Sequence, residues 1–163
     1  MFYYMNTLEQ GDLGELSAME WLASVGASIY IPLGHSPDYD LIAELQGELI
    51  RVQVKTSAYF RGGRWEVRVC TRGCDRSWNG VAKKLDASRC DYVFVLVRDG
   101  RCWFIPSVAL GGGSLIRLGG PKYAEFEVAR GRPLPRANAP EGSLYNRRSN
   151  ARGDVRVVKG VRL

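Results

Sequence analysis

Histidine is almost absent: the 163-residue chain has one, His35, with no second ligand or nucleophile motif around it. It reads as a loop residue near the candidate site and not as a catalyst. Cysteine is scarce and scattered. Cys70, Cys74, Cys90 and Cys102 form no CxxC pair, which removes the spacing that a structural zinc site uses. Cys90 and Cys102 lie beside strand-like runs and read as small core residues. No apolar run approaches the ~20 residues of a membrane-spanning helix, and the opening Met1-Phe-Tyr-Tyr-Met5 lacks the charged and apolar regions of a signal peptide. The expectation is a cytoplasmic chain with reduced thiols and no membrane partner. There are no internal repeats, and the length suits one domain with a sizeable core.

Negative charge is missing from the C-terminal end. Residues 1–129 carry 14 Lys and Arg against 15 Asp and Glu, whereas residues 130–163 carry 9 against 2. The basic excess therefore sits in an extension rich in Pro, Gly, Asn and Ser, which includes Arg130-Gly-Arg-Pro-Leu-Pro-Arg136 and Tyr145-Asn-Arg-Arg148 and ends with a short strand candidate, Val155–Val161. Two uses compete: a solubilising tail, or a flexible arm whose Arg147 and Arg148 contact phosphates. The expected organisation is a core over 1–129 and a basic extension over 130–163. A second basic stripe, Arg61, Arg64, Arg68, Arg72 and Arg76, lies within the core. Its alternatives are a solvated strand face and a DNA-contacting one.

What is present in strength is a hairpin. Residues 41–45 and 49–54 are dominated by Leu, Ile, Val and Ala, and Gln46-Gly47 between them supplies a turn. With a two-residue loop, Leu45 faces Glu48, Asp40 falls opposite Gln53, and Asp38 opposite Lys55. Side chains alternate, so Arg51, Gln53 and Lys55 share one face while Ile50, Val52 and Val54 take the other. A solvated hairpin face is the plain interpretation of that polar set. Asp and Gln, however, are poor strand formers. A carboxylate, an amide oxygen and an ammonium on one face are the groups that Mg²⁺-assisted phosphodiester hydrolysis needs. Asp38 and Asp40 have the same strand parity, so spacing does not choose between them.

Ahead of the hairpin, residues 8–25 read as a helix with Ala18, Met19, Leu22 and Val25 at helical spacing and Gly26 as its stop. Glu15 lies on that apolar stripe, away from Glu20. It completes a capping-box-like pair with Asp12, points a carboxylate inward, or does both. Further on, 65–70, 91–98, 101–105, 115–118 and 123–128 read as strands, with Asp99-Gly100 as a hairpin turn, and Val81, Leu85 and Lys83-Lys84 suggest a short helix.

Ser36-Pro-Asp-Tyr-Asp40-Leu-Ile followed by Val52-Gln-Val-Lys55-Thr-Ser57 resembles the PD-(D/E)XK nuclease superfamily, in the branch of group I intron-encoded homing endonucleases. Gly11-Asp-Leu-Gly-Glu15 matches the helix-borne Glu of that branch. The similarity spans residues 10–57 and continues weakly to about 110. It implies an α/β, restriction-endonuclease-like mixed sheet with an N-terminal helix packed on it and additional C-terminal strands. It also implies a metal-dependent DNA endonuclease. Asp40, Gln53 and Glu15 would hold Mg²⁺, with Mn²⁺ able to substitute and the Val54 carbonyl as a further oxygen. Lys55 would act on the attacking water, and Glu15, Asp40, Gln53 and Lys55 together would form the catalytic set. Gln53 stands where most of the superfamily has an acid. The expected partners are double-stranded or branched DNA and further copies of the chain, as a homodimer or homotetramer. The rivals are a Holliday-junction-resolvase-like structure-specific nuclease and a decayed nucleic-acid-binding module.

Overall fold

Thr7–Ser24 forms helix α1 although it contains Gly11 and Gly14, each costing about 1 kcal/mol relative to Ala in a helix interior. Packing compensates: Gly14, Ser17, Ala18 and Leu22 form a buried stripe at helical spacing. The helix ends at Gly26, which takes φ +88°. Gly26 N donates to Ala23 O and Ala27 N to Leu22 O, both at 3.0 Å, the paired bonds of a Schellman stop. The computed structural model describes residues 6–34, 38–72, 82–128, 130–131 and 133–134, without the side chains of 71–72 and 82–83.

The strands are β1 (Ser28–Tyr30), β2 (Leu41–Leu45), β3 (Glu48–Ser57), β4 (Phe60–Arg61), β5 (Arg64–Arg68), β6 (Thr71–Arg72), β7 (Ala82–Lys83), β8 (Tyr92–Val97), β9 (Cys102–Pro106), β10 (Leu115–Leu118) and β11 (Glu127–Val128). Six of them make the main sheet in the order β1-β2-β3-β8-β9-β11, and β10-β5-β4 make a smaller one. Among the described residues only β3 and β8 pair in parallel. The β2–β3 turn is the two-residue one expected: Gln46 and Gly47 both have positive φ, as a type I′ turn requires, and Leu45 faces Glu48.

Both faces of the main sheet are covered, which is why β8 reads Tyr-Val-Phe-Val-Leu-Val without alternation. Val52, Val54, Phe94 and Leu96 point toward α1, where Ala18 and Leu22 meet them. Val93, Val95, Val97 and Ile105 point the other way, onto Trp65, Val67, Ile116 and Leu118 of the small sheet. Thr7–Leu134 pack as one compact unit. The other grouping, Met1–Asn6 with Pro135–Leu163, falls outside the described residues except for Asn6. The chain remains bound past residue 130: Gly131 N donates to Gly100 O and Leu134 N to Arg98 O. Among the described residues no helix is long and apolar enough to cross a membrane.

Two expected elements differ. The helix suggested around 81–85 is absent at Ala82–Lys83, which form β7 and pair with β6. Cross-strand pairing overrides the apolar spacing of Val81 and Leu85. The strand expected over 123–128 is mostly a 3₁₀ helix, Pro121–Phe126, before β11. Pro121 stands at its first turn, where proline favours helical entry, and Tyr123 is buried there. Val155–Val161 lies outside the described residues.

At Gly14 α1 lies close against β3. A Cβ there would overlap the Thr56 Cγ2 methyl and lie 3.2 Å from Val54 Cγ1. Intrinsic propensity predicts that Gly14→Ala stabilises by about 1 kcal/mol, while overpacking predicts a loss of about 1–3 kcal/mol. The close approach makes the second win. Urea denaturation should show a lower midpoint for Gly14→Ala, and a higher one would mean that α1 stands off from β3.

Candidate active site

β3 outlasts its partner. Pairing with β2 ends at Leu41↔Val52, while β3 runs on to Ser57 beside β8. Asp40 N still donates to Val52 O at 2.9 Å. The next donor along that edge, the Val54 N–H, meets no strand, and Asp40 Oδ2 accepts it at 2.7 Å. A buried N–H without a partner costs about 1–3 kcal/mol, so this carboxylate completes the backbone ladder. The same oxygen accepts a bond from Gln53 Nε2.

That second bond orients the Gln53 amide, because an ionised carboxylate only accepts. Gln53 is 5% exposed. Its Oε1 is left buried, with no hydrogen-bond partner among the described residues. An orphaned buried acceptor is costly, and an oxygen beside carboxylates is a ligand for a hard cation. Lys55 lies on the same face of β3. Burial pulls its ammonium below the usual lysine range, against the opposing pull of the Asp40 charge. Burial likewise pushes Asp40 above the usual carboxylate range, although the Val54 N–H, the Lys55 ammonium and the Gln53 amide all favour its charged form.

Glu15 approaches from α1. It is raised first by burial, then by the charges of Asp40 and Asp12. Because α1 starts at Thr7, Asp12 is inside the helix, and the capping-box alternative for Glu15 is excluded. Asp12, Glu15, Tyr39 and Asp40 line an open cleft of about 450 Å³. Gln53 and Lys55 do not line it. They meet Asp40 from the sheet face opposite α1, and Asp40, at the strand edge, joins the two groups.

Asp38 is drawn elsewhere. It is 8% exposed and pairs with Arg89 Nη2 at 2.8 Å. Arg51, expected on the polar face, is committed to Asp91 by its backbone N at 2.7 Å, Nε at 2.9 Å and Nη2 at 2.8 Å. Those bonds fasten β3 to the entry of β8 and hold Asp91 below the usual carboxylate range. Of the basic stripe, Arg61 and Arg68 are exposed, whereas Arg64 Nη1 donates to Gly119 O at 2.6 Å. The side chain of Arg72, together with Arg76, Arg147, Arg148, His35 and Cys74, lies outside the described residues. Sequence reasoning missed Gly14 and Arg89. A glycine inside a helix next to Glu15 was the available signal for the first. Nothing in the pattern marks Arg89.

A family model described as PD-(D/E)XK endonuclease matches residues 5–118. The chain belongs to the PD-(D/E)XK endonuclease family. A solved structure of a bacterial homing endonuclease, I-Ssp6803I, shares the fold, with a TM-score of 0.64 and 23% identity, covering 76% of this chain and 89% of that one. No curated protein matches the chain. Endonucleases of this family use divalent metal ions, and DNA is the substrate that the family implies. Among the described residues no group of three or more His, Cys, Asp or Glu is placed to hold a metal.

The raised pKa values have a defined sign. A carboxylate whose folded pKa lies above its unfolded one contributes stability at acid pH and loses it as pH rises through the folded value. The metal-free endonuclease is therefore destabilised by ionising Asp40 and Glu15, a cost that a divalent cation bound between them would relieve. At pH 8, Mn²⁺ at a hundred times its Kd should stabilise the wild type by about 2.7 kcal/mol. The gain should shrink as pH falls and protons compete. Asp40→Asn should lose the gain without losing metal-free stability. Asp38→Asn should keep it but melt lower, because Arg89 loses its partner. Thermal melts with Mn²⁺ and with EDTA decide this, and an equal metal gain in Asp40→Asn would put the ion elsewhere.

Proposed function

We propose that this endonuclease hydrolyses phosphodiester bonds of duplex DNA with Mg²⁺ as its cofactor and with Asp40, Gln53, Lys55 and Glu15 as its working residues. The observation that carries the reading is the buried, unpartnered Gln53 Oε1, on the amide whose Nε2 engages Asp40. Asp40, Gln53 Oε1 and Glu15 would hold the ion, which when bound offsets phosphate charge and polarises the scissile phosphoryl group.

Lys55 holds the attacking water and takes its proton as the water oxygen bonds to phosphorus. The bond from phosphorus to the 3′ oxygen breaks, leaving a 5′-phosphate and, once that oxygen is protonated, a 3′-hydroxyl. Burial of Lys55 lowers its pKa and brings it closer to the working pH, which is what a general base requires. One such site handles one strand. A double-strand cut therefore calls for two copies arranged symmetrically, as a homodimer or within a homotetramer. Site-specific cutting of the homing type is proposed by likeness to the structural relative.

Incubation with supercoiled plasmid in Mg²⁺, in Mn²⁺ and in EDTA tests the reading, with nicked and linear products expected only with metal. Lys55→Ala should abolish cutting while duplex affinity stays within about twofold, since Lys55 acts on the water. Wild-type cutting by Lys55→Ala would remove it from the mechanism. Gln53→Glu should keep cutting and bind Mn²⁺ at least as tightly, while Gln53→Leu should be inactive. An inert wild type beside an active Gln53→Glu would instead mean a site that has decayed.

A further inference from the structure

On the far side of Thr56 from the acidic cleft, the end of β3 opens onto a second groove of about 680 Å³, lined by Gln10, Thr56, Arg61, Glu66, Arg68 and Arg98 among others. Its charge is opposite. Arg61 and Arg68 are exposed and Arg98 half-buried, and no described residue offers any of the three a carboxylate. The one acid in the lining, Glu66, is engaged by Arg117 Nη2 at 3.1 Å and Nε at 3.2 Å.

Arg98 is the least satisfied group there. Its backbone is held at both ends, with N donating to Ser57 O and O accepting from Leu134 N, each at 3.0 Å. Its Nε is buried, with no hydrogen-bond partner among the described residues. A guanidinium held by its backbone, with a buried N–H to satisfy and no acid beside it, suits a phosphate oxygen. Arg64, the neighbour closest in sequence to Arg61 within the basic stripe, does not line the groove and spends its Nη1 on Gly119 O.

The position along β3 matters. Val54, whose N–H the Asp40 carboxylate accepts, and Ser57 at the groove are three residues apart, about 10 Å at ~3.3 Å per residue. The groove thus stands a short step along β3 from the candidate metal-binding oxygens.

We infer that the Arg61–Arg68–Arg98 groove is a backbone subsite that grips phosphates of duplex DNA flanking the scissile one, with Arg98 as its central contact. The inference rests on the proposed nuclease function and adds where the strand leaves the cleft and which arginines hold it there.

Fluorescence anisotropy tests it on the full chain with a 30-base-pair duplex, in EDTA, over a series of salt concentrations. Arg98→Gln should flatten the slope of log K against log salt by ~0.9, one phosphate contact. Arg61→Gln combined with Arg68→Gln, both exposed, should flatten it by about twice that without disturbing the core. Lys122→Gln, the same charge change on another surface, should leave it unchanged, and Arg98→Lys should recover most of the wild-type slope. A wild-type slope in Arg98→Gln and in the double variant overturns the inference, as does a wild type that does not bind the duplex. If Arg98→Gln fails to fold, the double variant decides alone. Plasmid cutting is scored separately. Cutting with unchanged slopes sinks the subsite alone, and altered slopes with no cutting by any protein sink the nuclease reading alone.

Discussion

A single backbone N–H governs how this site is built. β3 must be long, because its Val52 and Val54 anchor α1 and its whole second half pairs with β8. β2 is short, and where it stops the Val54 N–H would be buried without a partner. Asp40 supplies the missing acceptor and so cannot drift from the strand edge. Gln53 is then turned by the same carboxylate, and Glu15 is brought in by a helix that Gly14 lets settle against Thr56. The geometry of this candidate site is a by-product of finishing a sheet edge that its neighbour leaves open.

The arrangement carries strain of an electrostatic kind. Two carboxylates and an ammonium are all pushed by burial toward their neutral forms, and an amide oxygen has nothing to bond. A fold selected for stability alone would not place these groups together, and local conflicts of this kind concentrate at functional sites. The ion pairs nearby have the opposite character. Arg51 with Asp91 and Arg89 with Asp38 match each charge to a partner. They hold the frame while the site keeps its groups reactive.

The hairpin was legible because its information is local. The Gln46-Gly47 turn, the period-two alternation and the count from Leu45–Glu48 back to Asp40–Gln53 follow from chain geometry alone, and α1 was legible from its stripe. What separated Asp40 from Asp38 was not local. Arg89 lies more than fifty residues from Asp38, and no spacing rule predicts that it claims that acid. The partner of Arg51 was hidden for the same reason, since Asp91 lies forty residues on, at the entry to the parallel strand. The 3₁₀ turn at Pro121–Phe126 was hidden because apolar residues at short spacing suit a strand equally well. The stripe of arginines looked uniform in sequence, yet the structure spends Arg64 on a carbonyl and leaves Arg61 and Arg68 to solvent.

The parallel pairing of β3 with β8 also sets an order of events during synthesis. Asp40 and Gln53 belong to one hairpin, which closes over a few residues within microseconds, so the oxygen pair forms as soon as that segment is free. The environment that lowers the Lys55 pKa depends on β8, about forty residues later, and on the slower closure of a long loop. A growing chain therefore brings Asp40 and Gln53 together first, and Lys55 takes its buried place only when Tyr92–Val97 has docked beside β3.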